Sequence, residues 1–247
     1  MEKLFFLVLF VIIGSVGSVL AASLFLLFPK TIRESIVPSL VSYAIGALLG
    51  AAFLNLIPEA LESIDSISFF MTILVGIILF FILEKLVIWR HCHNKECHIH
   101  SQTGPLILIG DSFHNFVDGV VLASAFLVSV PLGITTGIAI IGHEIPQEVG
   151  DFAILLHSGY SRKKAVLYNL ISSLVSIPAA IGGYFMLGTM KTLIPYIMAI
   201  GAASFLYIAI GDLIPGLQDR VGMGDTVIQV LLIIAGIMTI LLFPHHH

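Results

Sequence analysis

The chain has 247 residues, of which 58% are hydrophobic and 11% charged, with a mean hydropathy of +1.08 and a formal net charge of −4. So little polar surface excludes a soluble domain of this size, whose outside needs charged and polar side chains. Residues 1–244 read instead as a single polytopic membrane domain with no nucleic-acid partner, and His245, His246 and His247 look like a tag remnant.

Eight apolar runs are long enough to cross a hydrocarbon core, at about 20 residues each. They fall near residues 4–28, 36–57, 68–88, 105–127, 132–157, 164–186, 192–214 and 225–243. The expected fold is therefore all-α, with eight transmembrane helices and short links. Helix 1 can also be read as a signal peptide, since VLAAS resembles a small-residue cleavage site, but its apolar run is longer than the usual ~7–15 residues. With the N-terminus outside, the inner loops hold Lys30, Arg33, Lys85, Arg90, Lys95, Arg162, Lys163, Lys164 and Arg220, leaving Lys3 and Lys191 outside. Basic residues in short loops are retained in the cytoplasm, so both termini are expected on the extracellular or periplasmic face of the cell membrane. Glu59, Glu62 and Asp65 then fall in an outer loop after helix 2, where acids attract cations weakly.

Between helices 3 and 4, the expected cytoplasmic loop at residues 89–104 carries His91, Cys92, His93, Cys97, His98 and His100, a soft-to-borderline ligand set in a reducing compartment. It reads either as a relay or sensor for incoming metal, or as a dispensable loop with incidental affinity.

Helix 4 contains GDSFHNFVDG, placing Asp111, His114, Asn115 and Asp118 on one narrow face at ~100° per residue. Helix 5 contains HEIPQEVGD, where His143, Glu144, Gln147, Glu148 and Asp151 share one side. The connection between them is short, so the helices are antiparallel neighbours. At 1.5 Å per residue, His114 and His143 each lie ~17–20 Å from it, near mid-membrane. Five acids thus enter the bilayer on two helices that carry no Lys or Arg in their apolar spans. At about 2.5–3.5 kcal/mol each they would cost on the order of 10 kcal/mol, comparable with a whole protein's stability. Water, protons or bound cations must offset this. One reading is a set of protonated acids and hydrogen-bonded histidines that hold the bundle together. The alternative is a divalent-metal site: imidazole, carboxylate and carboxamide together suit Zn²⁺ best, then Fe²⁺ and Mn²⁺, and the absence of Cys and Met from both stripes speaks against Cu⁺. Pro146 removes the normal donor to the Gly142 carbonyl, which suits either an ion pathway or an ordinary packed kink.

These motifs, HNFVDG on helix 4 and HEIPQEVGDFAILLHSG on helix 5, resemble those of the ZIP family of divalent-metal transporters, closest to the subfamily whose fifth helix reads HEXPHEXGD. The resemblance covers essentially the whole chain. It implies metal ligands at His114, Asn115, Asp118, His143, Glu144 and Gln147, with Glu148 in the same motif and Asp118 as the bridge if two ions bind. Gln147 stands where the subfamily has a second histidine, and Ala51 and Asn55 where it often has an acid and a histidine. These departures bear on the two-ion arrangement and on the choice of metal. The resemblance also implies helices 1–3 mirroring 6–8 around helices 4 and 5, alternating access in which helices 1, 4, 5 and 6 move against 2, 3, 7 and 8, and a homodimer. One internal match agrees with the repeat: helix 2 ends NLIPEALE and helix 7 ends DLIPGLQD, with three identities in eight, although the two helices run in opposite directions.

Asp111 and Asp151 would line the route of the ion, with Asn55, Glu59, Asn169 and Asp212 as further pathway residues; Asn169 reads equally as helix–helix glue and Asp212 as a helix-end cap. An intramembrane metalloprotease is a rival, but Gln147 occupies the position of the second zinc histidine in HExxH. A passive channel and an exporter are further rivals. The reading adopted is a divalent-cation importer with Zn²⁺ as preferred transported substrate, Fe²⁺, Mn²⁺ and Cd²⁺ as competitors, and no enzymatic activity.

Overall fold

The computed structural model describes residues 1–89, 103–218 and 222–243. Among them the chain forms eight helical rods and no strand: α1 (Glu2–Phe25), α2 (Lys30–Ser63), α3 (Ser66–Trp89), α4 (Thr103–Val128), α5 (Val130–His157), α6 (Arg162–Thr189), α7 (Lys191–Gln218) and α8 (Met223–Leu241). The His/Cys-rich run from His91 to His100 lies outside the described residues.

Six of the described rods, α1, α2, α3, α6, α7 and α8, are long and apolar enough to cross a membrane. The sequence led us to expect eight. α4 and α5, with 26 and 28 residues, are long enough. Their polar stripes lower their hydropathy, and both are shielded instead by the helices around them. α5 packs on α1, α2, α4 and α6, and fifteen of its residues are buried, His143, Glu144, Glu148 and Asp151 among them.

α2 does not stop near residue 57, where its apolar run ends. It continues through a π-helical turn at Ala52–Leu56 into a further helical stretch, Ile57–Ser63. Pro58 sits in the first turn of that stretch, where a missing N–H costs least. Glu59 and Glu62 therefore lie on a helix, and of the expected loop acids only Asp65 is in the link. Asp65 accepts a bond from the Ser68 backbone N–H at 3.0 Å, and its hydrogen bonds with Ser68 hold its carboxyl below the usual range.

Other local features follow from single residues. α4 and α5 are separated by Ser129 alone, whose side chain accepts from Leu132 N at 3.2 Å to cap α5. Lys3 Nζ donates to the Leu127 and Val128 carbonyls at 2.7 and 2.8 Å, satisfying the end of α4. Gly159 takes φ 87° in the turn into α6, a conformation open to glycine. α6 breaks at Leu174–Val175, where Pro178 cannot donate to the Leu174 carbonyl and Ile177 N bonds it instead at 3.2 Å.

The rods pack as two groups of four. In one, α4 lies on α6 and α1 on α5; in the other, α2 lies on α8 and α7 on α3. Small residues permit the closest approaches. A Cβ at Gly46 would lie 2.0 Å from the Ile233 carbonyl oxygen, one at Gly236 2.3 Å from that of Tyr43, and one at Gly119 2.4 Å from that of Ser176. α7, like α2, carries a π-helical turn, Ile208–Leu213, and in both chains of residues the turn ends at the Leu of a Leu-Ile-Pro run. The groups meet where α2 crosses α5 and α7 crosses α4.

Candidate metal site

α4 and α5 bring four side chains to one point. His114 Nε2 lies 3.0 Å from His143 Nε2, 3.6 Å from Asp118 Oδ2 and 3.7 Å from Glu144 Oε1, and His143 Nε2 lies 3.1 Å from Asp118 Oδ2. One ligand atom from each of the four falls within 4.8 Å of all the others. Around a tetrahedral zinc with bonds of ~2.0–2.1 Å, ligand atoms stand about 3.3 Å apart. Four of the six separations, 3.0 to 3.7 Å, bracket that value, so these four side chains could hold a zinc ion.

The orientation of His143 fits the same use. Its Nδ1 lies 2.8 Å from the Ala139 carbonyl, which can only accept. In a neutral ring Nδ1 therefore carries the proton and Nε2 turns its lone pair to the cluster, the arrangement in which a backbone carbonyl fixes a metal-ligating imidazole. Phe205 of α7 sets its edge against this ring at 5.9 Å between centroids. His143, Asp118 and Glu144 are almost wholly enclosed, while the His114 side chain keeps 13% of its surface open.

Charge balance points to a cation. Both carboxylate oxygens of Asp118, Glu144 and Glu148, and one each of Asp111 and Asp151, are buried without a hydrogen-bond partner. Buried polar atoms are normally satisfied, and unpaired carboxylates in a low-dielectric interior are costly.

Glu148 is not among the four grouped carboxylate and imidazole ligands, and the amide nitrogens of Asn115 and Gln147 are engaged by Asp111. Asn115 Nδ2 donates to Asp111 Oδ1 at 3.0 Å and to the Asp111 carbonyl at 3.1 Å, and Gln147 Nε2 donates to the same Oδ1 at 2.9 Å. Glu148 faces α6, where Asn169 Nδ2 approaches its carbonyl oxygen at 3.5 Å. Among the other residues expected along the route, Asp111, Asp151 and Asp212 line a cavity of about 730 Å³ whose floor includes His114, His143 and Gln147. Asn55 does not line it. It is buried and donates to Thr135 Oγ1 at 2.7 Å, joining α2 to α5. Glu59 is half-buried on α2, outside the cavity lining.

The cavity is walled by the C-terminal halves of α3, α5 and α7 and the N-terminal half of α4, so it opens at the end of the bundle that carries the link between α3 and α4. On the other side of the cluster lies a crevice of about 10 Å³, between Phe10, Leu122, Asp118 and Glu144. Leu7, Phe126 and Leu132 pack there without exposure or nearly so, and Phe10 meets Phe126 at 5.9 Å. Sequence reasoning missed Glu84 and Tyr207, which are hydrogen-bonded to each other on the cavity wall. The one available signal was that Glu84 is the sole acid of α3.

A bundle of this kind, with acids and histidines enclosed between two antiparallel helices at the blind end of a cavity, is that of a polytopic membrane protein that handles divalent cations. The ZIP Zinc transporter family model matches residues 2–105 and 89–243, and the chain belongs to that family. It is similar to Zinc transporter ZIP13 of Pongo abelii, at 33% identity over 83% of this chain and 66% of that protein. The Zinc transporter ZIP13 homolog of Drosophila melanogaster is 31% identical over 83% of this chain and 78% of its own length. Zinc transporter ZIP10 of Homo sapiens is 36% identical over 51% of this chain but only 17% of its own length, so the chain spans a small part of that relative. These relatives are named as transporters and not as enzymes.

Proposed function

We propose that the protein is an importer of divalent cations, with zinc preferred, which works by alternating access around the site formed by His114, Asp118, His143 and Glu144. The observation that carries this is the convergence of those four largely enclosed ligands, with His114 and His143 on the wall of the large cavity and Asp118 and Glu144 beside the small crevice behind it. Asn115, Gln147 and Glu148 would complete the shell or pass the ion on once the helices shift, with Asp118 as the bridge if two ions bind. The basic residues Arg33, Arg162, Lys163 and Lys164, at the helix ends on the side of the α3–α4 link, support a cytoplasmic location for that end, and with it an inward-facing state with both termini external.

Two features support alternating access over a passive pore. The crevice beside Asp118 and Glu144 on the far side of the ligands, at about 10 Å³, is too small for a hydrated ion. The rods also divide into α1, α4, α5, α6 and α2, α3, α7, α8, the two bodies whose relative motion would move the site. In this reading all eight rods cross the bilayer. The paired π-helical turns in α2 and α7, together with the matching α2–α8 and α7–α3 packing, support an inverted repeat around α4 and α5. Fe²⁺, Mn²⁺ and Cd²⁺ would compete with zinc for the same ligands.

The test is zinc uptake into liposomes containing the purified protein, read by a trapped zinc-sensitive dye. Saturable flux in the wild type, lost in both Asp118→Ala and His143→Ala, is the expected result. Flux that does not saturate would replace the carrier with a channel, and an absence of flux despite equilibrium binding would remove the transport reading altogether.

A further inference from the structure

The floor of the cavity holds a second set of ligands beside the histidine cluster. Four acids, Glu84, Asp111, Asp151 and Asp212, line this cavity, and its lining contains no Lys or Arg. Glu84 is engaged by Tyr207. Asp111 and Asp151 differ from it in being deeply enclosed, with 5% and 9% of their surface exposed, and in each having an oxygen, Oδ2, without any hydrogen-bond partner.

The surroundings of Asp111 explain why that atom is left free. Its Oδ1 receives both carboxamides, from Asn115 at 3.0 Å and from Gln147 at 2.9 Å, which fixes the plane of the carboxylate. Ser172 stands close by, but its hydroxyl is directed at the Tyr168 and Asn169 carbonyls at 3.1 and 3.0 Å. Asp151 lies one turn beyond Gln147 on α5, on the same face, and is within Coulombic reach of Asp111. Asp111 and Asp151 thus both line the cavity, each with one enclosed oxygen that has no hydrogen-bond partner, and no Lys or Arg shares that lining.

We propose that Asp111 and Asp151 form a second, oxygen-only cation position on the cavity floor, which takes a partly hydrated divalent ion next to the histidine cluster. Asp111 is three residues from His114, a rise of ~4.5 Å along α4, and Asp151 is eight from His143, ~12 Å along α5. The position is therefore displaced from the cluster toward the open end. Carboxylate and water oxygens suit hard ions and discriminate poorly among divalent metals, whereas the imidazoles of the cluster favour zinc. Selection would occur at the histidines and rehydration at the aspartates, which divides the release of the ion into two smaller steps. This inference rests on the importer reading for its role in release, but the binding position itself does not depend on transport.

The experiment is Mn²⁺ binding to the full chain in detergent, followed by the paramagnetic resonance signal of the free ion. Mn²⁺ is chosen because it accepts all-oxygen coordination. The reference protein is the double variant His114→Ala, His143→Ala, which removes the cluster and keeps the rest of the chain, including the His91–His100 run, unchanged. It should still bind Mn²⁺, and adding Asp151→Asn should weaken that binding at least tenfold. Asp151→Asn breaks none of the amide bonds that organise Asp111, so the fold survives it; Asp111→Asn should act in the same direction. No Mn²⁺ binding in the histidine variant, or binding unaffected by Asp151→Asn, overturns the proposal. Zinc flux measured on the wild-type protein with its histidines intact separates the two ideas: wild-type flux with no aspartate-dependent Mn²⁺ binding in the histidine variant leaves the importer standing without this position, and the converse leaves the position without the importer.

Discussion

Replacing Asp118 by Asn should have two opposite effects that can be read in a single assay. The structure places Asp118 Oδ2 3.1 Å from His143 Nε2 and 3.6 Å from His114 Nε2, as one of four ligands, and leaves both its oxygens buried without a donor. Four-ligand zinc sites bind with about 10–16 kcal/mol, so one ligand carries on the order of 3 kcal/mol, or about a hundredfold in Kd. At a zinc concentration of about 100 times the wild-type Kd, the ion stabilises the wild type by about 2.7 kcal/mol; after a hundredfold loss of affinity the same zinc stabilises the variant by only about 0.4 kcal/mol. For a chain of this size that corresponds to a zinc-dependent rise in Tm of about 5–11 °C in the wild type and about 1 °C in Asp118→Asn. Without metal the order reverses, because the amide no longer holds a charge in a buried site that contains neither Lys nor Arg. Thermal unfolding of both proteins in detergent, with and without zinc, gives all four values. A full zinc-induced shift in the variant, or a metal-free variant less stable than the metal-free wild type, would refute the assignment of Asp118 as a buried, metal-compensated ligand.

Other consequences are open to direct measurement. Gly46→Ala should lower stability by about 1–3 kcal/mol in thermal unfolding, since its Cβ would lie 2.0 Å from the Ile233 carbonyl oxygen, while Gly182→Ala, with nothing within 4 Å, should leave Tm almost unchanged. In a background with Cys92→Ser and Cys97→Ser, a hydrophilic maleimide should label Gly150→Cys, on the cavity wall, and spare Leu122→Cys, which is 2% exposed on the sealed side. Thr135→Val deletes the 2.7 Å bond from Asn55 that joins the two helix groups on that sealed side, worth about 1 kcal/mol, and should raise the labelling rate of Leu122→Cys several-fold. Zinc binding should weaken on acidification, because imidazole and carboxylate ligands must be deprotonated to coordinate; affinity unchanged between neutral and mildly acidic pH would exclude His114 and His143 as ligands.

The sequence by itself determined the helical class, because long apolar runs punctuated by Gly and Pro leave no other way to satisfy the backbone in lipid. It also determined that α4 and α5 carry facing polar stripes, since a spacing of three, four and seven residues fixes a helix face whatever surrounds it. It could not rank the residues within those stripes. His114, Asp118, His143 and Glu144 converge, whereas Asn115 and Gln147 are drawn to Asp111 and Glu148 turns toward Asn169 on α6. That division depends on the rotation of α4 against α5 and on α6 packing behind both, which no local spacing encodes. The π-helical turn before Pro58 was hidden for a similar reason, as it rearranges backbone hydrogen bonds and leaves no compositional mark. Only the tertiary structure decided which side of the site is open. Leu7 and Phe10 of α1 meet Leu122 and Phe126 of α4 and Leu132 of α5, more than 100 residues further along the chain, and this packing fills one side of the site, while acids of α3, α4, α5 and α7 line the cavity on the other.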